Sequence, residues 1–328
     1  MKPTITICLM LIILTSFSQT NTAILDQNNV SANLSDDGLF FNNQATATAG
    51  YEVPKGSGKH SIYSSGFWMG GMGINGDIKL AAAMYNASGQ DFWPGPTEYG
   101  AGTIISPNPY SETIWAVTRV MIDNHILNYS SLGYIVPWEI ETWPAHGDMS
   151  VGMDYYMAPF VDVNADGHYV PEDGDYPCIK GDEAVFMILN DMGGIHATGA
   201  NPVGVEMRVM FYQFSSLPDL QQTTFIDLEL LNRGTQTVYD FYVSYFLDAD
   251  IGYSGDDYFG TDSTRNLLFT YNGDAFDEDN GGSLGYGQAA PALGVICLTQ
   301  DASSMGNFTN GSVYPETGPT TPSDYLEL

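Results

Sequence analysis

Basic residues are scarce in this sequence. Nine Lys plus Arg stand against 39 Asp plus Glu, a formal net charge of −30 at pH 7 over 328 residues. A chain so acidic repels a phosphate backbone, which excludes nucleic acid as a partner. Long apolar runs are missing as well. The longest, Ile5 to Leu14, is too short to span a bilayer. Hydrolase signatures are absent: there is no H-E-x-x-H, no G-x-S-x-G, and the five histidines (His60, His125, His146, His168, His196) are isolated from one another. Helical periodicity is rare. Cysteine is limited to three residues.

Aromatic residues, by contrast, are plentiful: 21 Tyr, 16 Phe and 5 Trp with only 15% charged residues, the composition of a folded, strand-leaning chain. Alternating apolar runs bounded by Gly, Pro, Asn and Asp recur throughout. From Gly204 to Leu247 three such runs follow one another, Val205 to Phe211, Phe225 to Leu230 and Tyr239 to Tyr245, and the turn residues Asn232 to Thr235 predict an antiparallel meander. Asn75-Gly76 predicts a hairpin over Gly66 to Tyr85, and the two prolines of DFWPGP (Asp91 to Pro96) predict an aromatic loop. The expected fold class is mainly β, antiparallel and β-sandwich-like, with long calcium-binding loops.

Lys2 and the apolar run, followed by Ser16-Phe17-Ser18, read as a signal peptide over residues 1–18, hence an exported protein. Residues 19–158 are then an N-terminal β-rich region and 159–328 a calcium-loop and β-sandwich region, with the soft boundary near Pro159. The Asn-, Gly-, Thr- and Pro-rich tail from Gly306 to Pro322 reads as a linker or long loop. The mature chain keeps Cys178 and Cys297, which leaves open one disulfide or two buried free thiols.

The acids are concentrated. Nine fall between Asp154 and Asp191 and nine between Asp248 and Asp279, each block with a single basic residue. In the first block, DVNADGHYVPEDGDYP (Asp162 to Pro177) has the spacing of a calcium loop: Asp162, Asn164 and Asp166 at positions one, three and five, Gly167 at six and Asp173 at twelve. His168 follows the glycine and is carried with the candidate ligands. Asp replaces the closing Glu of a sensor EF-hand and no helical pattern flanks the loop, which points to a fixed structural site. The alternative is an acidic, solvated loop. In the second block Asp248, Asp250, Asp256 and Asp257, with Asn272 and Asp274 to Asp279 after them, sit in Gly-rich turns that can gather carboxylates around calcium or form a solvated rim.

Two further motifs fail. Gly71, Gly73 and Gly76 spell GxGxxG, yet Asn75-Gly76 is a hairpin turn with no helix after it, and GSGKHS lacks the first glycine and the Ser/Thr of a P-loop. Pairs of acids suited to glycoside hydrolysis are unavoidable in so acidic a chain and carry no information.

The stretches YSSGFWMGG, DFWPGP, WPAHG, MAPFVDVNADGHYVPEDGDYPCIKGDEAVF, GVEMRVMFYQF, LLNRGTQTVYDFYVSYFLDADIG and DDYFGTDSTRNLLFTYNGDAFDED resemble exported Bacteroidota β-rich surface proteins of the type IX secretion kind. The resemblance spans most of residues 60–295. It implies export and a surface role without an established activity. The C-terminal sorting domain of that kind does not follow Leu328, so the chain is expected to be a piece of a longer protein. Together these point to a secreted or cell-surface, calcium-stabilised structural or adhesive module, non-enzymatic, with cell-surface or matrix glycans or proteins as partners. The competing expectation is an extracellular carbohydrate-binding module or glycan-active hydrolase, with Trp68, Trp93, Trp138 and Trp143 stacking on sugar rings.

Overall fold

The structure, a computed structural model, describes residues 20–298 apart from 86–88, 101, 107, 111–112 and 263. The expected signal peptide 1–18 and the tail from Gly306 to Pro322 lie outside the described residues. The protein is mainly β, with 40% of it in strands arranged as several antiparallel sheets.

Strands β1 (Thr22–Leu25) and β2 (Ser31–Ser35) pair antiparallel. The two-residue β3 (Leu39–Phe40) joins the side of β4 (Ser64–Met72). From β4 the chain turns at Asn75-Gly76, where Gly76 takes a φ of 77° that a side chain would resist, into β5 (Ile78–Ala82). Trp68 faces Ala82 and Met72 faces Ile78, so the expected hairpin is present. Next, β6 (Trp115–Thr118) runs straight into helix α1 (Arg119–Asn128), whose first turn is capped by the Thr118 hydroxyl accepting the Met121 N–H at 3.2 Å. A single-turn helix α2 (Trp138–Glu141) follows. Short strands β7 (Phe160–Val161) and β8 (Tyr176–Pro177) pair across the first acidic block.

Three long strands come next: β9 (Glu183–Asn190), β10 (Val205–Gln213) and β11 (Thr224–Asn232). They form one antiparallel ladder, with β6 on the far side of β9. Trp93 and Pro94 also bridge to β9 at this edge, where a missing amide is tolerated. Part of DFWPGP is therefore strand, not only loop. Strand β12 (Tyr239–Asp248) does not complete the expected meander. It leaves β11 and pairs with β4, Tyr245 opposite Phe67 and Asp248 opposite Ser64. The cause lies at Arg233-Gly234: both amides bond the Gly204 carbonyl at 2.8 Å and the Arg233 side chain is drawn inward, so the chain passes to the other sheet instead of reversing. The chain then builds β13 (Asp257–Asp262), β14 (Leu267–Asn272) and β15 (Ala292–Ile296), a three-stranded sheet centred on β14.

The two principal sheets share a core. Phe40 and Phe67 meet Phe211 of β10 and its neighbours, with Phe40 and Phe211 4.7 Å apart at 65°. Val185, Met187 and Leu189, with Val205, Met207, Val209 and Phe211, supply the opposing face. The intervening residues Ala184, Phe186, Ile188, Met210 and Tyr212 point the other way, into a second core with Trp115, Ile122 and Trp143. Every residue of β9 and β10 is consequently buried. Both sheets draw strands from either side of Pro159, so residues 19–158 and 159–298 do not form separate cores.

Alternation sends Glu206 and Arg208 of β10 into that second layer, where they are 0% and 6% exposed. Arg208 donates to Glu206 at 3.0 and 2.9 Å and to Asp154 at 2.7 Å. Arg233, 2% exposed, donates to Glu206 at 3.2 and 3.1 Å and to Asp154 at 3.1 Å. The Thr97 amide completes Glu206 at 3.0 Å. Two buried guanidiniums thus meet buried Glu206 and the partly exposed Asp154, with the exposed Glu229 carboxylate also 3.4 Å from Arg208, and the Arg233 side chain holds the Asp154 carboxyl below its ordinary pKa. Removing one member strands the rest. Glu206→Gln is expected to destabilise the fold by about 3 to 5 kcal/mol, read by urea unfolding; a loss below ~1 kcal/mol would show that the cluster is effectively solvated.

Candidate functional site: an acidic turn held on a buried strap

The loop between β7 and β8 begins with a tight turn. The Asp166 and Gly167 amides donate to Asp162 Oδ1 and Oδ2 at 3.3 and 2.7 Å, the Asp166 amide also to Asn164 Oδ1 at 3.0 Å, and the His168 amide to Asp166 Oδ1 at 2.8 Å. The side-chain oxygens of Asp162, Asn164 and Asp166 are thereby gathered in one turn, as the sequence spacing predicts. Gly167 has a φ of 85°, and Ala165, which lacks glycine's freedom, has 60°. The His168 amide and the Asn164 side chain keep the Asp166 carboxyl below its ordinary pKa. An ionised carboxylate has about four lone-pair positions, so an oxygen that accepts one amide can still meet a cation.

The other expected ligands are placed differently. Asp173 ends the 3-10 turn Pro171–Asp173, whose Pro171 is buried, and is itself exposed. Its neighbour Asp175, which the twelve-residue template passed over, is fully buried and accepts from the Val163 amide at 2.8 Å and the Val170 amide at 2.9 Å, strapping the two arms of the loop together. The His168 ring bonds the Tyr155 hydroxyl at 2.7 Å through Nδ1 and is not part of the oxygen set. Among the described residues no three His, Cys, Asp or Glu side chains converge as a group that would hold a metal ion; the turn offers two carboxylates and one amide.

A rigid frame carries this turn. The Tyr169 hydroxyl donates to the Ile140 carbonyl at 2.7 Å, Trp143 Nε1 to the Pro159 carbonyl at 3.0 Å, and buried His125 of α1 reaches the Asp175 carbonyl at 3.1 Å through Nε2. Burial pushes the His125 pKa down.

In the second acidic block, Asp248 ends β12 beside Tyr85, Asp250 follows, and Asp256 and Asp257 lie at the entrance of β13. Burial, then the Asp248 and Asp257 charges, push the Asp250 carboxyl up to about 7. Burial, then Asp256 and Asp277, push Asp257 up to about 6.

Other candidates resolve into structural positions. Cys178 and Cys297 are both free and exposed, which removes the disulfide and the buried-thiol alternative alike. Trp143 is in the second core, Trp68 stacks on Phe246 at 4.7 Å, and Trp93 packs where a Cβ on Gly193 would stand 2.2 Å from its Cγ. Of the four tryptophans named for sugar stacking, only Trp138 is largely exposed, at 50%. His196 is buried between the Leu80 and Asp191 carbonyls. No helix among the described residues is long and apolar enough to cross a membrane. Comparison with protein-family models, with curated proteins and with solved structures finds no match to this chain.

Two expected outcomes follow from the geometry. Asp175→Asn replaces one buried acceptor by a donor facing a backbone amide and is expected to cost about 1 to 3 kcal/mol, whereas exposed Asp173→Asn should stay within about 0.5 kcal/mol in chelator; equal effects would refute the strap. Asp250 is raised in the folded state, so its favourable contribution holds at low pH and is lost as pH rises through about 7. In chelator, Asp250→Asn should therefore raise Tm more at pH 8 than at pH 5, and a pH-independent effect would contradict this.

Proposed function

We propose that this protein is a secreted or cell-surface structural module, non-enzymatic, whose 162–175 loop is stiffened by calcium and which serves within a larger surface or adhesive assembly. The observation that carries the reading is the Asp162–Asn164–Asp166 turn, three oxygen-bearing side chains collected in five residues and mounted on the Asp175 strap. Hard oxygen donors of this kind suit calcium over softer transition metals. Bound there, calcium would supply positive charge to an acidic tip and a fixed coordination shell; Asp162, Asn164 and Asp166 would hold it, with Asp175 keeping the arms in place. The resemblance to exported Bacteroidota surface proteins supports the location.

The glycan-binding alternative receives less support, because packing engages three of its four tryptophans. The test is thermal unfolding with millimolar calcium and with excess chelator. Calcium in hundredfold excess over its dissociation constant is expected to add about 2.7 kcal/mol, and Asp162→Ala with Asp166→Ala should remove that contribution. Identical melting of the wild-type protein in calcium and in chelator would sink the proposal.

A further inference from the structure

The connection from β9 to β10, residues 191–204, folds back onto β5, where its Ala200 packs with Leu80 and Ala82. His196 is buried beneath it. Its Nδ1 lies 2.7 Å from the Leu80 carbonyl oxygen and its Nε2 lies 2.6 Å from the Asp191 carbonyl oxygen. Carbonyl oxygens only accept, and a neutral imidazole carries a single N–H. A neutral His196 would therefore press one bare nitrogen lone pair against a carbonyl oxygen at hydrogen-bond distance. Solvent cannot relieve that contact, because the side chains of His196 and Asp91 have no exposed surface.

The surrounding charges suit a ring that carries both hydrogens. Asp91 Oδ2 is 3.5 Å from Nδ1 and accepts the Ala82 amide at 3.0 Å and the Thr198 hydroxyl at 2.8 Å, while Oδ1 accepts the Thr198 amide at 3.2 Å. The Asp191 carboxylate accepts the Val203, Gly204 and Val205 amides at 2.5, 3.0 and 2.8 Å. Burial pushes the Asp191 carboxyl up, against the pull of these amides and of His196. The other charged groups near the loop are engaged elsewhere: Lys79 donates to the Pro202 carbonyl at 3.0 Å, Asp77 accepts from the Asn201 side chain at 3.3 Å, and Asp37 lines a small cavity on the other side of Asp91. Two buried carboxylates thus flank His196, and its ring supplies the positive charge between them.

We propose that His196 is an imidazolium in the folded protein and acts as a proton-operated latch that fixes the 191–204 loop to β5 and to Asp91. With both N–H groups present the ring ties the Leu80 carbonyl to the Asp191 carbonyl across the loop. Loss of one hydrogen turns one of those bonds into a lone-pair contact and removes the counter-charge of Asp91 and Asp191. The second proton is bound in the fold, so the latch is closed at low pH and opens as pH rises through the loss of that proton. Asp191 keeps its amide bonds to Val203, Gly204 and Val205, which confines the release to residues 192–202 and uncovers Leu80 and Ala82. The latch is independent of the calcium reading.

The test is nuclear magnetic resonance of the full chain with nitrogen-15-labelled histidine between pH 6 and pH 10, the His196 ring being identified by its contact with Trp93, 5.7 Å away between ring centres. Hydrogens on both ring nitrogens are expected at pH 7. Loss of one at higher pH should coincide with a fall in the hydrogen-exchange protection of the Leu80 and Thr198 amides, while the amides of β9 and β10 stay protected. His196→Gln should open the loop roughly tenfold more often at pH 6 and match the wild-type protein once the ring has lost its proton. Asp191 also titrates in this region, so the ring signal is the deciding one and needs no variant that folds. A ring that is neutral at pH 7, that keeps both hydrogens to pH 10, or that loses one with no change in loop protection overturns the proposal.

Discussion

The structure depends on one constraint: the β9–β10 hairpin is covered on both faces. One face packs against the sheet of β4 and β12, the other against the segment carrying β6, α1 and Trp143. Seventeen consecutive-strand positions without an exposed residue leave no solvent to satisfy polar groups, so each must find its partner inside. Glu183 accepts from the Asp26 and Gln27 amides, Asn190 donates to the Gly95 carbonyl, and Gln213 bridges the Asn28 amide and the Leu25 carbonyl. These bonds draw the N-terminal segment and the Asp91–Pro96 stretch onto the hairpin.

The same coverage explains the interior ion cluster. Once Glu206 and Arg208 face a packed layer, their charges need close partners, and Asp154 and Arg233 arrive from distant segments to provide them. Two of the nine basic residues are thereby consumed inside the fold. The acidic loops cannot be neutralised by those arginines, and their charge is left to solvent or to bound cations.

The Asp162–Gly167 turn gains its rigidity indirectly. Its tip is exposed, but Asp175, Tyr169, Trp143 and His125 tie its base to the second core. An acidic turn on so fixed a base would lose little ordering entropy on binding the proposed cation.

Much was legible in the sequence where the physics is local. Alternating apolar residues set the strands, Asn75-Gly76 set the β4–β5 hairpin, and D-x-N-x-D-G set the turn, because its amides and carboxylates lie within six residues of one another. Helix α1 was not legible, since only Ile122 and His125 on it are buried and no apolar stripe forms. Asp175 was passed over in favour of Asp173 because its choice depends on which carboxylate the second core encloses, and that core is assembled from Trp115, Trp143 and Phe186. The crossing of β12, the burial of Glu206 and Arg208, and the meeting of Asp257 with Asn272 were likewise decided by tertiary structure alone. Sequence spacing determines what a few neighbouring residues do to each other; which of them are shut away from water is settled only when segments far apart in the chain pack together.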